Sequence, residues 1–529
     1  MAATGKSFIG FREGSQGKTT FRAFNPATGE ALDPEFQAAS AAEVDLAARL
    51  AAEAFGTFRE LPGAKRAEFL NRIAANIEAV IDPLVERAHL ETALPRPRLQ
   101  SETARTCNQL RLFASVVEEG SWVQARIDRA DPNRKPLPKP DIRSLLRPLG
   151  PVVVFSASNF PLAFSVAGGD TASAFAAGNP VVVKAHSAHP GTSQIVGEAV
   201  RSSVRACGLP EGVFSLIFGA GTSVGAALVQ HPLIKAGGFT GSTGAGRSLM
   251  NLATSRPEPI PFYGELGSTN PVFILPGALQ ANGTKIASDL YGSFTLGAGQ
   301  FCTKPGLVFL SDGGSSEAFV GELRRKVSQA APFALLTKGI SSDYEREAVA
   351  RRSRGEVAVV AEGTPGSGNP YAAAAALYQT DISSFLSHPE LSEEHFGPST
   401  LLIRYSSKKQ TLEAARNLEG HLTATIHGTE DDLREFSELV AILENKVGRI
   451  VFNGFPTGVE VCHAMVHGGP YPASTDGRTT SVGTQAIFRF ARPVCFQSFP
   501  DSALPPELQN ANPLGIWRMV DGQLTRQAL

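Results

Sequence analysis

The segment 151–184, PVVVFSASNFPLAFSVAGGDTASAFAAGNPVVVK, begins and ends with short apolar runs rich in valine. Runs of this length and β-branched composition are typical of buried strands. The stretch between them, rich in alanine, is long enough for a helix. Two strands joined by a helix form the unit from which parallel sheets are built. This segment therefore predicts an α/β fold.

The same alternation continues toward residue 240, which predicts a parallel sheet with helices on both faces. Such sheets bind nucleotides at the carboxyl ends of their strands, so the pattern favours a Rossmann-type dinucleotide-binding domain. The predicted strands are 151–155, 181–184, 212–218 and 235–240, and the predicted helices are 162–177, 190–207 and 222–230.

The flanking parts of the chain divide into further units. Residues 42–120 have helical periodicity, and a second strand and helix alternation after 265 (271–275, 284–290, 307–310, 316–330) predicts a second α/β domain. The proline-rich stretch 127–142 predicts an exposed excursion, and the tail from 486 alternates like a strand that pairs outside its own domain. We expect a dinucleotide-binding domain (1–125 and 151–264), a catalytic domain (265–485), and a small β element for bridging and oligomerisation (126–150 and 486–529).

Composition excludes several classes of function. The chain has 529 residues and a net charge of -1, which favours neither nucleic acid nor an anionic membrane as a partner. Its five cysteines are scattered without pairs, as expected for a reducing, cytoplasmic compartment. The N-terminus has no secretory pattern, and the longest apolar region, 160–183, is interrupted by glycine and polar residues and does not predict a membrane span.

One cysteine has an unusual setting. Cys302 lies in GQFCT (299–303), and Glu265 precedes it by 37 residues in YGELG (263–267). A thiol and a carboxylate suffice for covalent chemistry on a carbonyl, in which the thiolate attacks and the acyl-enzyme is then hydrolysed. Taken singly, an inert buried thiol and a surface or helix-capping carboxylate are the simpler interpretations.

Two glycine-rich segments follow predicted strands. GAGTSVG (219–225) offers backbone N–H groups to a pyrophosphate through Gly221 and Gly225, although a plain tight turn is the alternative. FTGSTGAG (239–246) adds hydroxyl groups that reach phosphate oxygens, against the alternative of a helix N-cap turn. Lys184 ends a buried strand, where a cation suits a phosphate or a ribose unless it is simply a surface lysine.

A metal site is not predicted. His463 and His467 are four residues apart after Cys462, but Ala464 and Met465 occupy the positions where a zinc-binding helix motif has its carboxylate.

Together, several segments resemble the aldehyde dehydrogenase superfamily in order and spacing across nearly the whole chain. They are SNFP (158–161), Lys184, FTGSTGAG (239–246), ELG (265–267), GQFC (299–302) and EHFGP (394–398). The late segments 467–475 and 480–484, together with Gly306, are similar to the bacterial branch of the family that oxidises α-ketoglutarate semialdehyde. The resemblance implies the family's α/β fold and an NAD(P)-dependent oxidation of a small aldehyde through a thioester.

The resemblance also implies roles for individual residues. Cys302 matches the nucleophile, Asn159 matches the side-chain donor to the oxyanion, and Glu265 matches the base that activates water. Lys184 matches the adenosine-side ligand, and Ser242 matches a pyrophosphate contact. The predicted cofactor-binding residues are Lys184, Ser187, Gly221, Gly225, Ser242, Gly246, Glu394 and Phe396, the last two being matched to the nicotinamide end.

Two departures from the family pattern favour NADP, with NAD possible. Ser187 stands where many NAD-preferring relatives have glutamate, and a hydroxyl donates to a 2′-phosphate that a carboxylate would repel. Gly244 replaces an acidic residue common in the phosphate-binding motif. The substrate's own carboxylate should meet a cation, and Arg105 and Arg111 on the predicted helix 103–117 are the candidates.

Other functions remain open at this point. A broad-specificity or fatty aldehyde dehydrogenase would share the fold, and so would a catalytically inactive binding protein. Glu265 argues against a CoA-acylating relative, because water must be kept from that thioester. A cofactor-free cysteine hydrolase would need a histidine beside the thiol, and no histidine motif predicts one. The tail strand predicts a homodimer or homotetramer.

Overall fold

Strand Val152–Phe155 distributes its side chains between two separate hydrophobic clusters. Val152 and Val154 pack into one cluster, whereas Val153 and Phe155 pack into the other. The strand is therefore buried on both faces, which explains why its sequence is apolar without interruption. The structure is a computed structural model and describes residues 3–14, 17–366 and 368–529.

This strand belongs to a seven-stranded sheet whose first five strands are parallel. Each strand predicted for this sheet is present, although residues 212–213 belong to a short 3-10 helix. In spatial order the strands are Phe262–Glu265, Ala236–Thr240, Val152–Phe155, Val181–Lys184, Phe214–Ile217, Phe8–Ile9 and Arg12–Glu13.

Eight helices accompany this sheet among the described residues. The helix predicted over 162–177 begins only at Gly169, because the chain turns back on itself before it. A Cβ atom on Gly168 would lie 2.4 Å from the carbonyl oxygen of Ala163, so this turn requires glycine. The helices are Ala41–Arg59, Gly63–Glu78, Ile81–Thr92, Arg96–Glu119, Gly169–Ala177, Pro190–Ala206, Ser223–Gln230 and Thr243–Thr254.

A second seven-stranded sheet is parallel except for one edge strand, Ala358–Glu362. After that strand come Ala376–Asp381, Ser399–Tyr405, Leu307–Ser311, Val272–Ile274, His421–His427 and Val447–Phe452. Its helices are Pro276–Thr295, Gly314–Ser328, Lys338–Arg352, Ile382–Ser387, Lys408–Asn417, Glu430–Glu435 and Ser437–Leu443.

A third sheet brings distant parts of the chain together. The tail does not enter it at residue 486, because Thr484–Phe490 form a 3-10 helix that buries Ile487 and Phe490 in the first core. The strand that follows, Ala491–Gln497, pairs antiparallel with Ile142–Pro148. The order is Ala491–Gln497, Ile142–Pro148, Arg126–Asp128, Arg518–Val520 and Gln523–Thr525.

The remaining elements are short. Within the described part of the chain, two strand pairs stand apart from the larger sheets: Thr20–Phe24 with Ala31–Gln37, and Phe333–Ala334 with Ala372–Ala373. The 3-10 helices are Ser121–Val123, Glu211–Val213, Leu296–Gly299, Pro389–Ser392, Thr484–Phe490, Asp501–Ala503 and Pro506–Leu508. No helix within the described ranges is both long enough and apolar enough to cross a bilayer.

Glu265 and Cys302, the two candidate catalytic residues, come from the two large sheets and lie where these sheets meet. Glu265 is the last residue of its strand in the first sheet, and Cys302 precedes strand Leu307–Ser311 of the second. Ser474, from the late loop region, forms an isolated β-bridge with Glu265. The site is therefore assembled at the carboxyl edge of the first sheet from segments far apart in sequence.

Candidate active site

The loop that presents Cys302 has an unusual backbone. Gly297, Ala298 and Gly299 adopt positive φ angles of 57°, 60° and 68°. A Cβ atom on Gly299 would lie 2.1 Å from the carbonyl oxygen of Gly397, so only glycine permits this close approach of the EHFGP loop. The turn brings the half-buried Cys302 to the wall of a cleft.

The side chain of Asn270 holds this loop through two hydrogen bonds to its backbone. Its side-chain amide nitrogen donates to the carbonyl oxygen of Cys302 at 2.8 Å and to that of Lys304 at 3.0 Å. Asn270 is fully buried. Asn270 therefore holds Cys302 through the backbone carbonyl group and makes no hydrogen bond to the thiol.

His467, Glu265 and Cys302 form a connected group. Nε2 of His467 lies 3.5 Å from Sγ of Cys302 and 2.9 Å from Oε1 of Glu265. Ser481 donates its hydroxyl to the other carboxylate oxygen at 2.6 Å. The arrangement places a base and a carboxylate within proton-transfer distance of a thiol.

The charges of this group are set by burial and by the contacts. Burial alone would raise the pKa of Glu265, but His467, Ser481 and the thiol together hold it below its usual value. Burial, followed by the neighbouring Glu265 carboxylate, raises the pKa of Cys302 well above its usual value. The carboxylate is thus charged and the thiol neutral at pH 7, so the thiol needs a base to become a nucleophile.

Sequence reasoning missed His467 as a partner of the thiol. The sequence relates His467 only to His463, which is exposed, whereas His467 is buried and contacts Glu265 and Cys302. The sequence predicts no histidine beside the thiol, whereas the structure places His467 in contact with it. The only local signal was the segment 467–475 itself, whose resemblance to one branch of the family marked it as distinctive.

Asn159 lies beside the thiol, where the sequence predicts it. Its side-chain nitrogen donates one hydrogen bond, at 2.9 Å, to the carbonyl oxygen of Gln300, which leaves its second N–H available. Asn159 is buried and lines the same cleft as Cys302. One N–H is therefore free to face an oxygen atom bound at the thiol.

The cleft has a volume of about 450 Å³ and lies between the two large sheets. Five of the predicted site residues line it: Asn159, Ser242, Cys302, Glu394 and Phe396. The other six do not line it: Lys184, Ser187, Gly221, Gly225, Gly246 and Glu265. His186, which lies between Lys184 and Ser187 in sequence, does line it.

One end of the cleft is the start of a helix. Ser242 is the N-cap of Thr243–Thr254, and its hydroxyl accepts from the backbone N–H of Ala245 at 3.4 Å. The N-cap interpretation of FTGSTGAG is therefore correct. Residues 241–245 are nevertheless exposed, so the N–H groups and the positive end of the helix dipole remain open to an anion.

The end near Cys302 contains a carboxylate. Glu394 is half-buried, and its Oε1 atom has no hydrogen-bond partner among the described residues. Burial raises the pKa of this carboxyl group, against the opposing charge of Lys304, and burial lowers the pKa of Lys304. A carboxylate oxygen without a partner is suited to accept hydrogen bonds from a ligand's hydroxyl groups.

Lys184 lies at the carboxyl end of its strand with no ion pair in the part of the chain that the structure describes. Burial lowers its pKa to about 8. An ammonium group in this position gains from any anion that approaches it. A dinucleotide therefore fits the residues present, since the helix start, Glu394 and Lys184 offer partners for phosphate and hydroxyl groups.

Of the two arginines predicted to meet a substrate carboxylate, Arg111 does not face the site. Its guanidinium group forms two hydrogen bonds of 2.6 Å to the carboxylate of Glu78 on the exposed side of the helix. The prediction for Arg111 is wrong, because this side chain is already paired at the surface.

These features define a class: an α/β protein with a thiol on the wall of a cleft between its two large sheets. The sequence matches the aldehyde dehydrogenase family over residues 11–490. The chain belongs to the aldehyde dehydrogenase family, which confirms the resemblance inferred from its motifs and its predicted fold class. It is accordingly an NAD(P)-dependent oxidoreductase.

Known proteins similar to this chain point to a branch within the family. An alpha-ketoglutaric semialdehyde dehydrogenase 2 from Azospirillum brasilense is 49% identical, covering 99% of this chain and 100% of the relative. An alpha-ketoglutaric semialdehyde dehydrogenase from Acinetobacter baylyi is 45% identical over 99% of both chains. The NAD⁺ complex of an aldehyde dehydrogenase from Bacillus cereus shares the fold with a TM-score of 0.80 at 21% identity, covering 93% of this chain and 96% of that one.

Proposed function

We propose that this enzyme oxidises α-ketoglutarate semialdehyde (2,5-dioxopentanoate) to 2-oxoglutarate, with NADP preferred over NAD. The observation that supports the substrate is the identity of 49% and 45% to the two relatives named above, over nearly their whole lengths. A broad-specificity or fatty aldehyde dehydrogenase remains the alternative within the same fold.

We expect the cofactor to bind along the cleft and to extend toward Lys184. The start of helix Thr243–Thr254, with Ser242, would hold the pyrophosphate, and Glu394 and Phe396 would hold the nicotinamide ribose and ring. Lys184 would contribute its charge at the adenosine end, where Ser187 introduces no opposing carboxylate. The bound dinucleotide supplies the acceptor for the hydride that leaves the substrate carbon.

Acylation begins at the thiol. Sγ of Cys302 forms a bond to the aldehyde carbon, and the thiol proton passes to the His467–Glu265 pair, whose nearest atom lies 3.5 Å away. Because the pKa of Cys302 is raised, this proton transfer must accompany the attack. Loss of hydride from the same carbon then leaves a thioester on Cys302.

The oxygen of the attacked carbonyl becomes negatively charged and needs donors. We assign this role to the second N–H of Asn159 and to the backbone N–H of Cys302, and the single hydrogen bond that Asn159 donates to Gln300 supports the first. Each such donor contributes about 3 kcal/mol to transition-state stabilisation in related chemistry.

Deacylation uses the same carboxylate. Water attacks the thioester carbon, its proton passes to Glu265 directly or through His467, and the carbon–sulfur bond breaks to release the carboxylate product. The lowered pKa of Glu265 keeps it in the base form at neutral pH.

Two wider expectations belong to this proposal. We infer that the enzyme works in the cytoplasm, which agrees with its unpaired cysteines. We infer also that it assembles as a homodimer or homotetramer through the edge of the sheet containing Ala491–Gln497.

The experiment that tests the function compares a panel of aldehydes with the purified enzyme. α-Ketoglutarate semialdehyde, pentanal and a long-chain aldehyde are each assayed with NADP and with NAD. We expect the highest kcat/KM for the semialdehyde with NADP. A higher value for either unsubstituted aldehyde would overturn the substrate, and a higher value with NAD would overturn the cofactor preference.

A further inference from the structure

Among the described residues, three arginines lie near the site of the thiol without lining the cleft. Arg98 packs against the adjacent rings of Phe160 and Phe301, with its guanidinium carbon 5.0 Å and 4.6 Å from their centroids. Arg105 lies over Phe164, and the charge of Arg449 is close enough to interact with Cys302. Each is therefore a candidate to meet a charged group on the substrate.

Two of the three already have partners. Arg98 donates to the carbonyl oxygen of Asn159 at 3.1 Å and lies 3.7 Å from the carboxylate of Glu102. Arg449 donates to the carbonyl oxygens of Gly458 at 2.8 Å and Pro456 at 2.6 Å. These contacts fix loops around the site and leave little of either guanidinium group for a ligand.

Arg105 differs from both. Its Nε atom donates to the carbonyl oxygen of Val459 at 3.3 Å, but its two terminal nitrogens are buried and have no partner among the described residues. No carboxylate of those residues lies within ion-pair distance of it. Burial lowers its pKa from the usual value, against the opposing charges of Glu102, Glu265 and Glu460.

An enclosed guanidinium group whose terminal nitrogens have no hydrogen-bond partner is energetically unfavourable. Its transfer from water costs several kcal/mol, which only a partner with matching geometry offsets. A carboxylate provides that geometry, because its two oxygens accept from the two terminal nitrogens of arginine at once. The side chain is thus suited to a ligand that brings a carboxylate.

The contacts of Phe164 place Arg105 near the reacting atom. The guanidinium carbon lies 5.2 Å from the centroid of Phe164, whose ring lies 6.0 Å from that of His467. His467 in turn contacts the thiol of Cys302, and the positive charge of Arg105 lowers the pKa of that thiol against the larger effects that raise it. Arg105 is therefore electrostatically coupled to the nucleophile.

We propose that Arg105 binds the carboxylate at the far end of the substrate while the aldehyde carbon reacts at Cys302. This inference rests on the proposed function and gives it a specificity-determining residue. An extended five-carbon substrate spans roughly 5–6 Å between its ends. This length suits the position of Arg105, which is separated from His467, the neighbour of the thiol, by the ring of Phe164. The carboxylate must displace part of the cover formed by Phe164 and the Val459 segment.

The first test replaces Arg105 with methionine and uses Arg111→Met as the matched control on the same helix. For Arg105→Met we expect kcat/KM for α-ketoglutarate semialdehyde to fall about 10- to 100-fold, mainly through KM, as for loss of a charged hydrogen-bonded pair. For pentanal, which has no carboxylate, kcat/KM should fall much less, because only the loss of the positive charge near the thiol affects it. Equal losses for both substrates, or no loss, would overturn the inference, and Arg111→Met should resemble the wild type.

The second test does not require the semialdehyde to be the substrate. Glutarate, a dicarboxylate of similar length, is used as an inhibitor of pentanal oxidation in the wild type, Arg105→Met and Arg105→Lys. We expect the inhibition constant to rise about tenfold or more in Arg105→Met and less in Arg105→Lys, which keeps the charge. Unchanged inhibition in Arg105→Met would overturn the role of Arg105.

The two tests separate this inference from the proposed function. If the wild type prefers pentanal to the semialdehyde, the proposed function fails, whatever Arg105 does. If the wild type prefers the semialdehyde and Arg105→Met keeps that preference, the inference alone fails.

Discussion

Nε2 of His467 lies 2.9 Å from Oε1 of Glu265, and both side chains are buried. The contact joins residues 202 positions apart in sequence. The same nitrogen faces the thiol of Cys302, so it is placed either to donate to the carboxylate or to accept from the thiol. This shared position makes the histidine a connection between the proposed nucleophile, Cys302, and the carboxylate proposed to activate water, Glu265.

Replacing His467 with glutamine should therefore slow the reaction without preventing cofactor binding. We expect kcat to fall about 100-fold or more, because general-base assistance typically contributes a factor of this size. Steady-state turnover and cofactor affinity by fluorescence are the measurements. His463→Gln is the matched control, since His463 lies in the same segment but is exposed. Wild-type turnover in His467→Gln would show that the contact is only structural.

Replacing Glu265 with glutamine tests the second half of the cycle. The amide keeps the shape but cannot accept a proton from water, so we expect the thioester to accumulate. A rapid burst of reduced cofactor should precede a steady state slowed about 100-fold or more. Stopped-flow absorbance measures both phases, and the exposed Glu53→Gln serves as the control. If the steady-state rate does not fall, Glu265 is not the deacylation base.

Much of the fold could be predicted from the sequence because its strands are buried on both faces. Val181–Lys184 and Val152–Phe155 are continuous apolar runs whose length and composition leave few alternatives. The sequence predicts helix Gly169–Ala177 from residue 162, whereas it begins at Gly169, because the turn before it depends on the close approach of Gly168 to Ala163. That contact has no signature in hydrophobic periodicity.

In the site, too, some residues could be predicted from local motifs and others could not. Cys302 and Glu265 lie in local motifs, whereas His467 reaches them only through loops, 165 and 202 residues away from each in sequence. Local spacing paired it instead with His463. Arg105 and Arg111 are six residues apart on a helix, which turns their side chains about 120° away from one another, so both could not face the same site.

The raised pKa of Cys302 predicts a strong pH dependence of its reactivity. Because burial and the Glu265 carboxylate disfavour the thiolate, its fraction should increase about tenfold for each pH unit between pH 7 and pH 9 without levelling off. Alkylation by iodoacetamide, followed at Cys302 by mass spectrometry in the absence of cofactor, measures this. Glu265→Gln removes the carboxylate charge that raises the pKa of Cys302, so the dependence of the alkylation rate on pH should move to lower pH. A rate independent of pH over this range would contradict the prediction.

Cofactor preference should depend on Lys184 and Ser187. Lys184→Met removes the charge offered to a 2′-phosphate, so kcat/KM for NADP should fall about 10- to 100-fold while that for NAD changes by about threefold or less. Ser187→Glu should reverse the preference in favour of NAD through repulsion. The exposed Lys338, beside the cleft residue Thr337, provides the control Lys338→Met.

The pH dependence of the NADP reaction follows from the same lysine. Burial lowers the pKa of Lys184 to about 8, so the side chain loses its charge as the pH rises through that value. Bound NADP will raise this pKa, but KM also depends on the protonation of Lys184 in the free enzyme. The KM for NADP should therefore increase above pH 8, while the KM for NAD changes less. In Lys184→Met this difference between the two cofactors should disappear. If KM for both cofactors rises in parallel in the wild type, or if the difference persists in the variant, the phosphate is bound by another group and the assignment of Lys184 is wrong.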